Sequence, residues 1–221
     1  MPCSAKKSFT KERDPGMDYV LTVREMFEMM EQQSISFDEL EPSSFDDPMG
    51  ESTGGGVIFS VTGGVLESAL RLVSKKLTDN RLGVVEFAGV RGEGGLRHAT
   101  IELEVDGVLR EIKVGVCSGI RHAKKLLQEP NLADKFDFIE VMSCGGGCIN
   151  GGGSVKSDDP NIVKKRIQSV YSADRKCSLR VCDENPSIQR LYSSYFDAPL
   201  SEKAHHVLHT TFFDRSGNVE Q

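Results

Sequence analysis

Residues 140 to 153 read Glu-Val-Met-Ser-Cys-Gly-Gly-Gly-Cys-Ile-Asn-Gly-Gly-Gly, which sets Cys144 and Cys148 in a run of glycines at the end of an apolar segment. Two thiolates at this spacing can reach adjacent corners of one inorganic cluster. The glycines let backbone come close to such a core and leave amides free to hydrogen-bond its sulfides. A chain carrying this stretch is expected to fold around metal.

A second segment lies at the other end, where residues 1 to 7 read Met-Pro-Cys-Ser-Ala-Lys-Lys and place Cys3 three residues ahead of Lys6. A lysine at that offset can donate its ammonium hydrogens to an anionic ligand, a stronger bond than a neutral donor makes. The six cysteines are Cys3, Cys117, Cys144, Cys148, Cys177 and Cys182. A disulfide framework suits small exported chains better than one of 221 residues without an export signal. Zinc prefers shorter paired spacings, with only Cys177 and Cys182 as a second pair. Cys117, Cys177 and Cys182 read as buried or incidental thiols. His205, His206 and His209 sit at helical spacing and read as structural.

Charge narrows the partners. A net charge of -6 and a pI near 5.5, with no long Lys/Arg run, argue against nucleic acid. An acidic electron carrier would need a local docking patch. No stretch approaches the about 20 apolar residues of a membrane span, and no leader opens the chain. The expected compartment is cytoplasmic, unless an organellar targeting segment lies upstream.

Along the chain, Asp18 to Leu21 reads as a short strand leading into a helix whose Val23, Met26, Phe27 and Met30 recur at helical spacing as core positions. Residues 34 to 50 are acidic and loop-like. Gly63-Gly64 opens a helix to about Leu77. Residues 82–88, 99–105 and 108–116 read as strands, the last two joined across Asp106-Gly107. A helix over 118–128 presents Arg121, Lys124 and Lys125, a strand over 136–143 delivers Cys144, and helices follow over 160–175, 186–196 and 200–210. Strands that end in glycine-rich loops followed by helices predict an α/β layer with the cysteines at its loops.

Together these segments resemble the iron-only ([FeFe]) hydrogenases. Met1, Pro2, Cys3 and Lys6 match the family's Met-Pro-Cys-x-x-Lys signature. Glu140, Met142, Cys144, Gly147, Cys148 and Gly151 match Glu-x-Met-x-Cys-x-x-Gly-Cys-x-x-Gly. Residues 50–71 are similar to its glycine-rich turn and helix, and 185–192 with 204–211 to its carboxy-terminal, small-subunit-like segment. The resemblance implies an α/β lobe of the catalytic domain over 1–155, with a mostly parallel sheet flanked by helices, and a helical extension over 156–221. It implies a 4Fe-4S cubane joined to a diiron subcluster bearing CO, CN and azadithiolate, together the H-cluster, interconverting protons plus electrons with dihydrogen. Cys3 and Cys144 would be cubane ligands and Cys148 the bridging thiolate; Lys6 would hold a cyanide, with Met1 and Met142 near the diiron unit and Pro2 beside Cys3. Ferredoxin or another electron carrier, and maturation proteins, are the implied partners.

The resemblance is incomplete. A cubane takes four thiolates, and the family's Thr-Ser-Cys-Cys-Pro-x-Trp signature is absent from a chain without tryptophan. The expectation is therefore a carboxy-terminal part of a longer hydrogenase, inactive alone, whose fourth cysteine comes from an upstream portion or a partner subunit. Phe9 stands where the family often has glutamate, Ser143 for alanine, Gly145 for proline, and Ser154-Val155 for Gln-Pro. Two other readings remain open: a hydrogenase-like iron-sulfur protein serving cluster assembly, whose members usually lose the methionine at the position of Met1, and a slow sensory hydrogenase.

Overall fold

The computed structural model describes residues 2–9, 18–46, 49–77, 86–105 and 107–209. Alternating apolar residues make the sheet. In β1 (Leu96–Val105) and β2 (Val108–Ser118), Ala99, Ile101 and Leu103 share one face with Ile112, Val114 and Val116, as the two-residue period of a strand requires. That face packs on Leu66 and Leu70 of a helix and on Phe87 and Val90. The opposite face carries Cys117 and Leu96 against Ala123, Leu126 and Ile139. The sheet thus has a helix on each side.

In chain order the helices are α1 (Val23–Gln32), α2 (Gly54–Val57), α3 (Gly64–Leu77), α4 (Ile120–Leu126), α5 (Leu132–Lys135), α6 (Ile162–Lys176), α7 (Pro186–Leu191) and α8 (Glu202–Leu208). A widened π turn, Tyr192–Phe196, prolongs α7. Strand β3 (Phe138–Met142) lies beside β2.

The α/β class and most element positions agree with the sequence reading, with three corrections. The sheet is mixed rather than mostly parallel: among the described residues β1 and β2 form an antiparallel hairpin, and only β2 and β3 run parallel. Asp18 to Leu21 joins no strand, and α1 buries none of its residues, so its methionines are not core. Ala88–Val90 form a 3-10 turn where a strand was expected, while residues 82–85 and Asp106 lie outside the described residues.

The C-terminal helices are tied to the lobe by buried charge. Arg71 of α3 and Asp174 of α6 form two bonds of 2.8 Å, and Glu67 accepts from Arg71 at 2.6 Å, all three fully buried. Arg91 bonds Glu67 twice and lies 4.3 Å above the Tyr171 ring, while Arg180 completes the carboxylate of Asp174. Burial pulls the Asp174 carboxyl upward, but the bonds from Arg71 and Arg180 outweigh it and hold it below the usual carboxylate range.

Candidate metal-cluster centre

Strand β3 aims the cysteine loop and its neighbours hold it. Immediately past the strand, Gly119 N–H donates to Met142 O (2.7 Å) and Ile120 N–H to Ser143 O (3.0 Å), so α4 starts against the residue before Cys144. Inside the loop, Ser118 Oγ accepts from Gly146 N–H at 2.9 Å and lies 3.2 Å from Thr62 Oγ1, while Thr62 N–H donates to Gly146 O. Gly147 has φ +99 and faces Ser60 O and Thr62 N; a Cβ there would stand 2.7 Å from each, so only glycine fits. Glu140, 6 % exposed, accepts from Gly63 N–H (2.5 Å) and Leu66 N–H (2.8 Å), placing a carboxylate at the N-terminus of α3 where its dipole favours one.

The N-terminal segment is strapped across this loop. Gly153 N–H donates to Pro2 O at 2.9 Å, and a Cβ on Gly151 would stand 2.3 Å from that carbonyl. Arg24 holds the glycine run beneath the strap, its N–H donating to Gly153 O and its guanidinium to Gly152 O, and the Lys7–Glu25 ion pair ties the strap to α1. After Cys3 the chain turns in a 3-10 helix, Ser4–Phe9, which carries Lys6.

Three thiols and one ammonium meet as a result. The Cys148 thiol is pushed up first by burial and then by the neighbouring Cys3 and Cys144 thiols, while Lys6 pulls it down. Cys148 keeps an exposed surface even though atoms crowd its sulfur, and Cys3 and Cys144 are half-buried. Among the described residues, no three His, Cys, Asp or Glu side chains are grouped as one metal ion would need. The thiols feel one another without closing on a common point.

Met142 is half-buried at the end of β3, one residue from Ser143-Cys144. Met1 lies outside the described residues. Cys117 is fully buried in the sheet, which pushes its thiol up, and Cys177 donates to Ala173 O within its own helix end. His205, His206 and His209 are exposed, with the His205 and His209 rings stacked edge-on. Sequence reasoning did not find Ser118, Thr62 or the capping role of Glu140. Ser118 is one serine at a strand end, and nothing local marks it as the loop's anchor.

A family model described as the iron only hydrogenase large subunit, C-terminal domain, matches residues 1–152. The chain belongs to the iron-only hydrogenase family. A second model, the iron hydrogenase small subunit, matches residues 160–215. This chain is 40% identical over 222 residues to the NADP-reducing hydrogenase subunit HndD of Solidesulfovibrio fructosivorans, covering 97% of this chain and 37% of that protein. It is 28% identical over 232 residues to the cytosolic iron-sulfur assembly component 3 of Rattus norvegicus, covering 96% of this chain and 46% of that one. A solved variant of the FeFe-hydrogenase HydA1 from Chlamydomonas reinhardtii superposes with a TM-score of 0.75 at 33% identity, covering 96% of this chain and 62% of that chain. The chain thus spans less than two thirds of the length of each of these relatives. No helix among its described residues is long and apolar enough to cross a membrane.

Proposed function

We propose that this chain is the cluster-holding lobe of an iron-only hydrogenase, which interconverts dihydrogen with protons and electrons once a further polypeptide segment completes its metal site. The observation that carries this reading is the shared environment of Cys3, Cys144, Cys148 and Lys6, with the Pro2 strap lying across the cysteine loop. The residues suit a 4Fe-4S cubane with its diiron subcluster in donor type, supplying three of four thiolates. When bound, that group supplies the redox chemistry.

The chain's own residues hold and orient. Cys3, Cys144 and Cys148, the last the most exposed of the three, would hold the group as thiolates. Lys6 neutralises part of the thiolate charge and donates to an anionic ligand. The Gly145 amide, on an open stretch of loop with nothing within 4 Å of a built Cβ, is available to a sulfide. A ferredoxin or similar carrier exchanges electrons with the completed protein, and maturation proteins load it.

The test is infrared spectroscopy of the metal-loaded native assembly. Carbon monoxide and cyanide bands present in the parent and lost in Cys148→Ser are the expected result; bands that survive in Cys148→Ser overturn the assignment. The relationship to a cytosolic iron-sulfur assembly component supports a second reading, a cluster-assembly protein without hydrogen turnover. Bound iron with neither band would favour it.

A further inference from the structure

We infer that the cavity between the cysteine loop and the start of α6 binds a tetrahedral oxyanion, either phosphate itself or the phosphoryl group of a small metabolite. None of its groups is a cluster thiol, so the site is independent of the metal-cluster reading.

The cavity holds about 380 Å³ and is lined by Gly145 and Gly146 of the cysteine loop, by the first turn of α6, and by Arg97 of β1. Its two cations lack carboxylate partners. Arg97 gives its terminal N–H groups to the carbonyls of Thr62, Val90 and Gly94, all neutral, and its Nε–H is buried with no partner among the described residues. Burial lowers the Arg97 pKa, and Tyr171 and Glu140 oppose this without cancelling it. Lys164 is exposed and forms no ion pair among the described residues. In a chain of net charge -6, two cations left unanswered beside one cavity are short of an anion.

The helix start adds donors of its own. Helix α6 runs for 15 residues, has no acidic residue in its first turn, and its N-cap Asn161 makes no side-chain cap. Ile162 N–H donates to Asp159 O, whereas the amides of Val163 and Lys164, both on the cavity wall, have no acceptor among the described residues. Open amides at the positive end of a helix dipole bind anions. The Asp159 carboxylate does not answer them, being taken up by Asn161 N–H and Lys165. Glu93 is the one acid on the lining, and it is exposed. Two amides, a guanidinium and an ammonium on separate walls suit four tetrahedral oxygens better than the two of a planar carboxylate. Because Gly145 and Gly146 share the cavity, a bound ion ties the cysteine loop to α6.

The test is an NMR titration of the 221-residue chain with inorganic phosphate at fixed ionic strength. The amide signals of Gly145, Gly146, Val163 and Lys164 are expected to shift together and saturate, and amide exchange at Gly146 to slow. Lys164→Gln, at an exposed position, should weaken binding about tenfold, the worth of one charge-assisted bond, with melting unchanged. Arg97→Gln should weaken it as much, and Glu93→Gln should tighten it about twofold. Should Arg97→Gln not fold, Lys164→Gln alone decides. Both arms of a comparison with ADP uphold the site: tighter binding of ADP identifies a phosphoryl-bearing metabolite as the occupant, and equal or weaker binding identifies the free ion. Shifts scattered over surface lysines, acetate bound as tightly as phosphate, or unchanged affinity in Lys164→Gln would overturn the inference.

Discussion

The ion-pair network between α3 and α6 and the thiol site around Cys148 differ in how far the chain satisfies its own charges. In the network Arg71, Glu67 and Asp174 are fully buried, and each is answered by a partner within hydrogen-bond distance. At the thiol site burial, and then the neighbouring Cys3 and Cys144, raise the cost of ionising Cys148, with Lys6 and a backbone hydrogen bond opposing. Removing one partner from a closed network leaves a buried charge short of a partner, whereas removing a thiol leaves nothing stranded. Stability should therefore follow the first region and metal content the second.

The largest break should come from Asp174→Ala, which leaves Arg71 to Glu67, a carboxylate it shares with Arg91; breaking a buried ion pair costs about 3–5 kcal/mol, readable by denaturant unfolding. Its sign with pH is fixed. The folded Asp174 carboxyl lies below the unfolded value of about 3.9, so its contribution is complete above that pH and is lost as pH falls through the folded value. In Asp174→Ala the acid limb of the stability profile should flatten.

Gly151→Ala is expected to couple the two regions. Its methyl meets the Pro2 carbonyl at 2.3 Å, and such overpacking costs about 1–3 kcal/mol. Lifting the strap also moves Cys3, so iron content should fall with stability. Ser118→Ala strands the Gly146 amide and should cost about 1–2 kcal/mol, with loosened loop geometry visible as faster amide exchange at Gly146. Cys148→Ser should change stability by less than about 0.5 kcal/mol, as surface substitutions do, while removing the infrared bands. A large loss of stability in Cys148→Ser would erase the distinction between the regions.

What could be read from sequence divides along physical lines. Period-two patterns in residues 96–118 and period-3.6 patterns in Gly64–Leu77 and Ile162–Lys176 depend on neighbours within a few residues, and those elements stand where the pattern put them. Asp18 to Leu21 carry the same local signal, but a strand needs a second strand, and that is not a local property. The antiparallel pairing of β1 and β2 was legible in the hairpin signal between them, whereas the mostly parallel sheet that the resemblance implied gave way because β2 has one parallel neighbour alone among the described strands, reached across α4 and α5. At the site, Cys3, Cys144, Cys148 and Lys6 were legible because family signatures name them. Ser118 and Thr62 were not, since a hydroxyl that supports a loop from 28 residues away leaves no spacing rule. The alignment of Asp174 with Arg71, 103 residues apart, is equally silent in sequence.

The bond from Gly153 N–H to Pro2 O also has a cost in chain entropy. With Arg24 already bound to Gly152 and Gly153, closing the remaining loop of roughly 20 residues takes about 3 kcal/mol beyond the constant of closure, and one strap returns little of it. The clasp is a late contact in folding and an early one to open, well before the sheet or the Arg71–Asp174 pair gives way. Cys3 leaves with it. Release of iron would thus register mild heat or denaturant while the circular dichroism of the fold still looks intact, making the metal a gauge of the chain's weakest closure rather than of its core.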